Sequence, residues 1–322
     1  MKIKRKSNKR WIKSIPIFLG MTFSLFLLSS CFTGIEGTKK ITLTREDKKM
    51  AQPSEEESFF SGIKPDPLLE WEQGRIFIAS DNKALLIFET QDNLFPTDTI
   101  SIKGKLFEFV GVDSKMNAAG NLTVGLLFTD GARTLVYDTN KEFDKAMNSF
   151  MSSDVPMMID SKMVAQAREK LIGKKFWTKS PLWYDEKGER IDGKKYIEVT
   201  VTDVEPGNLV FPLRLKIKDA EGNEAFMLMN FGTEGNESRA FHNLFSLTDI
   251  RHHYPTISPE TWKLISQGKV ALGMTKEECR LSLGNPSDVN SGHDYSQTLD
   301  IWQYDNGVVL WFEDGRLTRL RQ

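Results

Sequence analysis

The first thirty residues constrain this chain most strongly, because they decide in which compartment the rest of it must fold. Basic residues crowd positions 2 to 13 without an acidic residue among them, and an apolar run, Ile15–Leu28, follows. This run of 14 residues is short for a membrane span, which takes about 20 apolar residues. A basic segment followed by a short apolar segment and small residues is typical of a secretory signal. The sequence therefore predicts that residues 1–30 direct the export of the chain.

The end of this segment carries a more specific motif, Leu28-Ser29-Ser30-Cys31. It resembles the lipobox of bacterial lipoproteins, a Leu and two small residues before a Cys. The resemblance implies cleavage before Cys31 and a covalent diacylglycerol and N-acyl chain on that residue, with no other cofactor. A plain secretory signal with an incidental Cys is the alternative. Phe32 stands where an Asp favours the inner membrane in that family, so we expect an outer-membrane anchor facing the periplasm.

Composition and charge exclude several classes of protein. Charged residues make up 27% and hydrophobic residues 39% of the chain, which is typical of globular proteins. Seven of the 43 basic residues lie in the export segment, which leaves 36 against 44 acidic residues in the body. A net-acidic body argues against nucleic-acid binding. Two cysteines exclude a disulfide framework, and the adjacent His252 and His253 favour a solvated linker over a metal site.

The body of the chain is predicted to be α+β and mainly β, with two similar β-rich units. A Gly-x-x-Phe pattern at Gly74 recurs at Gly173, 99 residues later, and a long strand and a hairpin follow it each time. We predict two copies of a small, strongly bent SH3-like barrel, although two unrelated antiparallel domains would share such features. The predicted segments are an export signal (1–30), a lipidated Cys with a polar tether (31–58), two β-rich domains (59–158 and 159–250) and a C-terminal domain (256–322).

The C-terminal domain is predicted to have the order α-α-β-β-β. Ser258 and Thr275 are good N-caps for two helices, and alternating strands follow from Leu299 onward. Its motifs are Gly273-Met274-Thr275, Leu283-Gly284-x-Pro286, Trp302-x-Tyr304 and Trp311-Phe312-x-Asp314-Gly315. Together they resemble the SmpA/OmlA domain, the fold of BamE-like outer-membrane lipoproteins. The resemblance covers about a fifth of the chain, and a long segment precedes it that those small proteins lack.

The aromatic residues of this domain have two readings. Trp302, Tyr304 and Trp311 can pack the sheet on the helices, because alternate residues of a strand share one face. Those that lie on the open face, together with Arg319, are instead candidates for partner binding. Cys279 is predicted to be a buried structural thiol, because no base for a nucleophile stands near it in sequence.

The function predicted from these features is that of a lipid-anchored outer-membrane lipoprotein. We expect a non-catalytic scaffold or protein-binding module, in outer-membrane assembly or envelope maintenance, with envelope or outer-membrane proteins as partners. The sequence contains no Gly-x-Ser-x-Gly, His-Glu-x-x-His or phosphate-loop motif, so we predict that it is not an enzyme. Two alternatives stay open: an envelope enzyme acting on glycans, lipids or peptides, and a periplasmic ligand-binding protein.

Overall fold

The computed structural model describes residues 53–90, 101–117, 119–208, 210–231, 239–294 and 297–321. The export segment, the lipobox residues Leu28, Ser29, Ser30 and Cys31, and most of the predicted tether lie outside these residues. The described strands form three antiparallel sheets, so the prediction of a mainly β fold is confirmed. No sheet built from these strands closes into a barrel, so the barrel closure predicted for the two β-rich units is wrong for the described residues.

The first sheet contains six strands: β1 (Ile76–Ala79), β2 (Glu89–Thr90), β3 (Leu106–Met116), β4 (Leu122–Thr129), β5 (Thr134–Asp138) and β6 (Met158–Asp160). Their spatial order is β2-β5-β4-β3-β1-β6. Its core is aromatic, with Phe77, Phe107 and Phe128 fully buried beside Trp71. Helix α1 (Glu55–Phe60) precedes this sheet in sequence, and helix α2 (Phe143–Ser149) lies between its strands β5 and β6.

Helix α1 corrects the predicted extent of the polar tether. The acidic run at Glu55–Glu57 is the first turn of this helix, and Ser54 and Glu57 form a reciprocal capping box at its start. Phe60, at the other end, is buried against the ring of Phe241, with centroids 5.7 Å apart. The helix therefore belongs to the folded body, and residues 55–58 are not tether.

The second sheet contains seven strands: β7 (Lys175–Thr178), β8 (Leu182–Tyr184), β9 (Arg190–Asp192), β10 (Glu198–Pro206), β11 (Leu213–Asp219), β12 (Glu224–Met229) and β13 (Phe245–Ser246). Their spatial order is β13-β7-β10-β11-β12-β8-β9. Helix α3 (Ser161–Leu171) packs on the core of this sheet, and α4 (Phe241–Leu244) packs at its edge. Asp160 caps α3 by accepting a hydrogen bond from the Lys162 amide.

The two sheets share one strand order. Reading β6-β1-β3-β4-β5-β2 in the first sheet and β13-β7-β10-β11-β12-β8 in the second gives the same succession of paired strands. Gly74 and Gly173, the glycines of the predicted repeat, both have a positive φ just before the first strand of their sheet. This order is what the predicted duplication requires, and the duplication itself stays a prediction.

The C-terminal part contains helices α5 (Pro259–Ser266) and α6 (Lys276–Leu283), and the strands β14 (Asp288–Asp294), β15 (Gln297–Gln303), β16 (Val309–Glu313) and β17 (Arg316–Arg321). The strands follow one another in the sheet. Both predicted caps are present, on Ser258 and Thr275. The predicted order lacked β14, which is polar, contains Gly292 and is exposed, so it carries no apolar strand pattern.

The last strand is paired on both sides. Leu317 is buried in β17, which pairs with β16 along its whole length. On the outer side its amide donates to the carbonyl of Met274, and its carbonyl accepts from the amide of Gly273, both at 2.8 Å. The residues that precede α6 therefore cover the first half of this edge of the sheet.

A buried lysine joins the second sheet to the C-terminal helices. Lys195 is only 7% exposed, and its ammonium donates to the carbonyl of Leu281 at 2.7 Å and to that of Ser282. Its own amide donates to Ser266, at the end of α5, at 2.8 Å. Burial lowers the pKa of Lys195 to about 8. The neighbouring Tyr196 has a φ of +56° and contacts the Trp262 ring edge-on.

Candidate functional site

The four-stranded C-terminal sheet has two chemically different faces. The inward face packs on α5 and α6 and contributes to a core made of Ile265, Met274, Cys279, Trp302, Val308, Leu310, Phe312 and Leu317. Because successive residues of a strand point to opposite faces, the neighbours of Trp302 and Leu310 point away from the helices. We call this outward side the open face, and it consists of Asp288, Asn290, Leu299, Ile301, Gln303, Val309, Trp311, Glu313, Arg316, Arg319 and Arg321.

The structure divides the four residues predicted as partner-binding candidates into two pairs. Trp302 is 2% exposed and packs on Phe312, with ring centroids 4.8 Å apart. Tyr304 donates its hydroxyl to the carbonyl of Gly284 at 3.2 Å, and burial raises the pKa of Tyr304 to about 12. Both side chains serve the packing of the sheet on the helices, the first of the two readings of these aromatics.

Trp311 and Arg319 lie on the open face. They stand opposite each other on β16 and β17, and the Arg319 guanidinium lies 4.7 Å from the centroid of the Trp311 ring. This cation–π contact orders the arginine side chain over the indole in the free protein. Binding of a partner therefore costs less side-chain conformational entropy. Trp311 is half-buried and Arg319 is exposed, so a partner can reach both.

Apolar side chains surround this pair in the middle of the open face. Ile301 stands beside Trp311 on β15, and Leu299 is exposed one pleat further along the same strand. Val309 neighbours Gln303 on the same side. The centre is therefore apolar and aromatic, with charged groups on the two edge strands and Glu313 at one end of β16.

The charges on the open face have opposite signs at its two edges. β17 presents Arg319 and Arg321, both exposed, while β14 at the other edge presents Asp288. Asp288 also accepts a hydrogen bond from the side chain of Asn290 at 3.2 Å. An apolar centre between a basic and an acidic edge can bind a partner surface of matching polarity.

Only part of the open face can be predicted from the sequence. Once Trp302 and Phe312 are assigned to the core, alternation places their neighbours Ile301 and Trp311 on the opposite face. These two members of the open face can therefore be predicted from the sequence. Asp288 was not, because β14 was not predicted.

Cys279 fits the prediction of a structural thiol. It is fully buried on α6, and burial, with a contribution from the charge of Glu278, raises the pKa of Cys279 to about 12. A thiol with that pKa stays protonated at neutral pH, so its nucleophilic form is scarce.

A second feature is a cavity of about 230 Å³ between the first two sheets. Methionines 157, 158 and 163 and Phe231 supply much of its wall, and Ser152 and Asp160 add polar groups. It is smaller than most pockets for drug-sized ligands, which occupy about 300–1,000 Å³. It has room for little more than a single ring or a short chain, so it gives weak support to the ligand-binding alternative.

The carboxylate in this cavity is already paired. Arg75, whose side chain is 6% exposed, forms ion pairs with Asp160 and with Asp66, and Lys162 adds a third contact at 2.7 Å to Asp66. Burial works to raise the pKa of Asp66, but the hydrogen bonds from Lys162 and Arg75 outweigh it and lower the pKa. A general acid needs the opposite shift, so Asp66 is poorly suited to that role.

The described ranges show neither a metal-binding cluster nor a membrane-spanning helix. No group of three or more His, Cys, Asp or Glu side chains there is placed to hold a metal ion. His252 and His253 lie exposed in a short 3₁₀ helix, Ile250–His253. Among the helices of the described residues, none combines the length and apolar character needed to cross a bilayer.

Comparison with known protein families, curated proteins and solved structures gives no match for this chain. A function must therefore be argued from its own residues.

Proposed function

We propose that this chain is a lipid-anchored outer-membrane lipoprotein that acts as a non-catalytic scaffold or protein-binding module in the cell envelope, facing the periplasm. The observation that carries the binding role is the Trp311–Arg319 pair on the open face. Tryptophan and arginine are the residue types most enriched at the energetic centres of protein interfaces. Here they lie together over an apolar centre, held in place before any partner arrives.

The proposed anchor rests on the sequence motif that ends at Cys31. One acyl chain gives only marginal membrane binding, whereas the two or three chains of a bacterial lipoprotein make attachment effectively permanent. The segment from Cys31 to Ser54 then connects the anchor to α1, the first described helix.

Two fold relationships form part of the proposal. The shared strand order, in which the last strand of each unit pairs with the first, supports SH3-like units in duplicate. The two capped helices followed by a meander support a relation of the C-terminal part to the SmpA/OmlA domain. That relation would suit a role in outer-membrane assembly or envelope maintenance, with outer-membrane proteins as partners.

Lipidation at Cys31 has a direct test. We expect the Cys31→Ala variant to take up no labelled fatty acid and to keep its export segment, because the thiol that accepts the diacylglycerol is missing. The measurement is metabolic labelling followed by electrophoresis of the full-length protein, with Cys279→Ala as the matched control that keeps normal labelling. Normal labelling of Cys31→Ala would show that the lipobox reading is wrong.

The binding role is tested by crosslinking in cells. We expect Trp311→Ser to reduce the yield of crosslinked envelope proteins at least about ten-fold, because truncation of a central aromatic commonly costs 2 kcal/mol or more of binding. The measurement is quantitative mass spectrometry of proteins captured with the full-length, lipidated chain. Leu86→Ser, at a side chain that is 83% exposed and far from the open face in sequence, is the control. Equal capture by both variants would contradict a binding role for the open face.

A further inference from the structure

The open face is complementary to itself, and we propose that its partner is a second copy of this chain, bound face to face about a two-fold axis. This inference rests on the proposed function, because it names the partner of the same surface. It follows from the positions of the charged and apolar groups across the four strands, which the strand register gives residue by residue.

The register arranges the open face in rows that cross the sheet. One row runs from Asp288 on β14 through Gln303 and Val309 to Arg321 on β17. The next row runs from Asn290 through Ile301 and Trp311 to Arg319. In the first row an acid and a base therefore occupy opposite ends, and in the second row the two apolar side chains occupy the middle.

A two-fold axis parallel to the strands, between β15 and β16, stacks each row of one copy on the same row of the other copy, with the order of the residues reversed. It places Asp288 of one copy opposite Arg321 of the other, and the symmetry repeats the pair at the opposite edge. In the centre Ile301 faces Trp311, again twice. Glu313 faces Leu299 at the rim, so the axis brings no two like charges together. The strands of the two copies remain nearly parallel, as in aligned sheet packing.

The face suits a second copy better than the β17 edge of the sheet does. A strand added at β17 would meet the pairing of Leu317 with Gly273 and Met274, which already occupies that edge. The charged side chains of an edge strand also discourage strand addition. On the face, Leu299, Gln303, Arg319 and Arg321 are exposed, Ile301 and Trp311 are half-buried, and Val309 is buried.

The size of the face predicts a weak dimer. Four strands about 4.8 Å apart and roughly six residues of about 3.3 Å each give an area on the order of 400 Å² per copy. Stable complexes bury about 800 Å² per partner, so the affinity in dilute solution should be low. Anchoring both copies to one membrane raises their effective concentration, which lets a weak contact form.

Charge exchange between two tagged copies tests the proposal. Two full-length, lipidated copies with different tags are expressed together, crosslinked in cells with a lysine-reactive reagent and purified through one tag. We expect Asp288→Arg in both copies, or Arg321→Asp in both, to lower recovery of the second tag at least about ten-fold, because each creates two like-charge contacts. Both side chains are exposed, so the fold should tolerate either change.

The decisive arm pairs the two different variants. One copy with Asp288→Arg and one with Arg321→Asp restores opposite charges at both contacts, and recovery should return to within about two-fold of the wild type. Failure of this pair to recover, or absence of wild-type copies from each other's purification, would overturn the inference. If the copies stay apart while Trp311 still governs capture of other envelope proteins, the proposed function survives and the second copy as partner does not.

Discussion

The Trp302→Ala variant is expected to lose about 3–5 kcal/mol of its free energy of unfolding, the range measured for large aromatic truncations in protein cores. Trp302 is 2% exposed, its ring packs on Phe312, and the Arg280 guanidinium lies 5.0 Å from its centroid. Truncation would remove a large buried side chain between the sheet and the helices and leave a cavity there. Urea unfolding of the intact protein, followed by circular dichroism, measures the loss.

The control for this prediction is the other tryptophan of the sheet. Trp311→Ala should cost about 1 kcal/mol or less, because Trp311 is half-buried on the open face and its removal leaves no closed cavity. The pair of variants thus separates packing from binding: Trp302→Ala should impair stability, and Trp311→Ala should impair capture of partners. Equal losses of stability in the two variants would show that the assignment of the two faces is wrong.

The second large effect is expected at Lys195. The Lys195→Ala variant should lose about 3 kcal/mol, because the carbonyls of Leu281 and Ser282 at the end of α6 lose their donor in a buried place. The adjacent Lys194 is the matched control: its ammonium is 3.5 Å from Glu221 at the surface, and Lys194→Ala should change stability by about 0.5 kcal/mol or less. Denaturant unfolding of both variants measures the difference. Similar stability of the two variants would show that Lys195 does not stabilise the contact between the second sheet and the C-terminal helices.

Burial of Lys195 also makes the free energy of unfolding depend on pH. Its pKa is about 8 in the folded protein and about 10.4 in an unfolded chain, so between these values the unfolded chain binds more protons and stability rises with pH. The cost of burying the charged amine is therefore fully present below pH 8 and is relieved above it. From pH 7 to 9 the wild type should gain about 1 kcal/mol relative to Lys195→Met, which keeps the stem without the charge. Parallel profiles would contradict this.

Local signals in the sequence predicted much of the fold. Helix α3 and the caps on Ser258 and Thr275 depend on neighbours within one turn, so the sequence displays them directly. The alternating strands β15 and β16 likewise show which residues face the core. The apolar run at residues 84–88 has the composition of a strand, but the structure has a 3₁₀ helix, Asn82–Leu86, there. There Asp81 accepts from the Lys83 amide, a local polar contact that competes with strand formation.

The features that depend on distant partners were out of reach. Lys195 lies between polar residues in sequence, and only the approach of α6 makes it a buried donor. The network of Arg75 with Asp160 joins residues 85 positions apart. On the open face, Trp311 and Ile301 follow from alternation, whereas Asp288 required a strand that has no apolar pattern. The apolar centre of the open face can therefore be predicted from the sequence, whereas its acidic edge depends on tertiary pairing.

The pairing of Leu317 with Gly273 and Met274 also determines when the C-terminal part can fold. A polypeptide leaves the ribosome, or an export channel, with its N-terminus first, so β17 arrives after every element that it must contact. Until then α5, α6 and the first three strands of the sheet lack both the buried side chain of Leu317 and the cover on β16. Their apolar surfaces must stay exposed for that interval. β17 thus completes the fold of this part, and a chain interrupted before β17 should attract chaperones or proteases rather than settle into a smaller stable form.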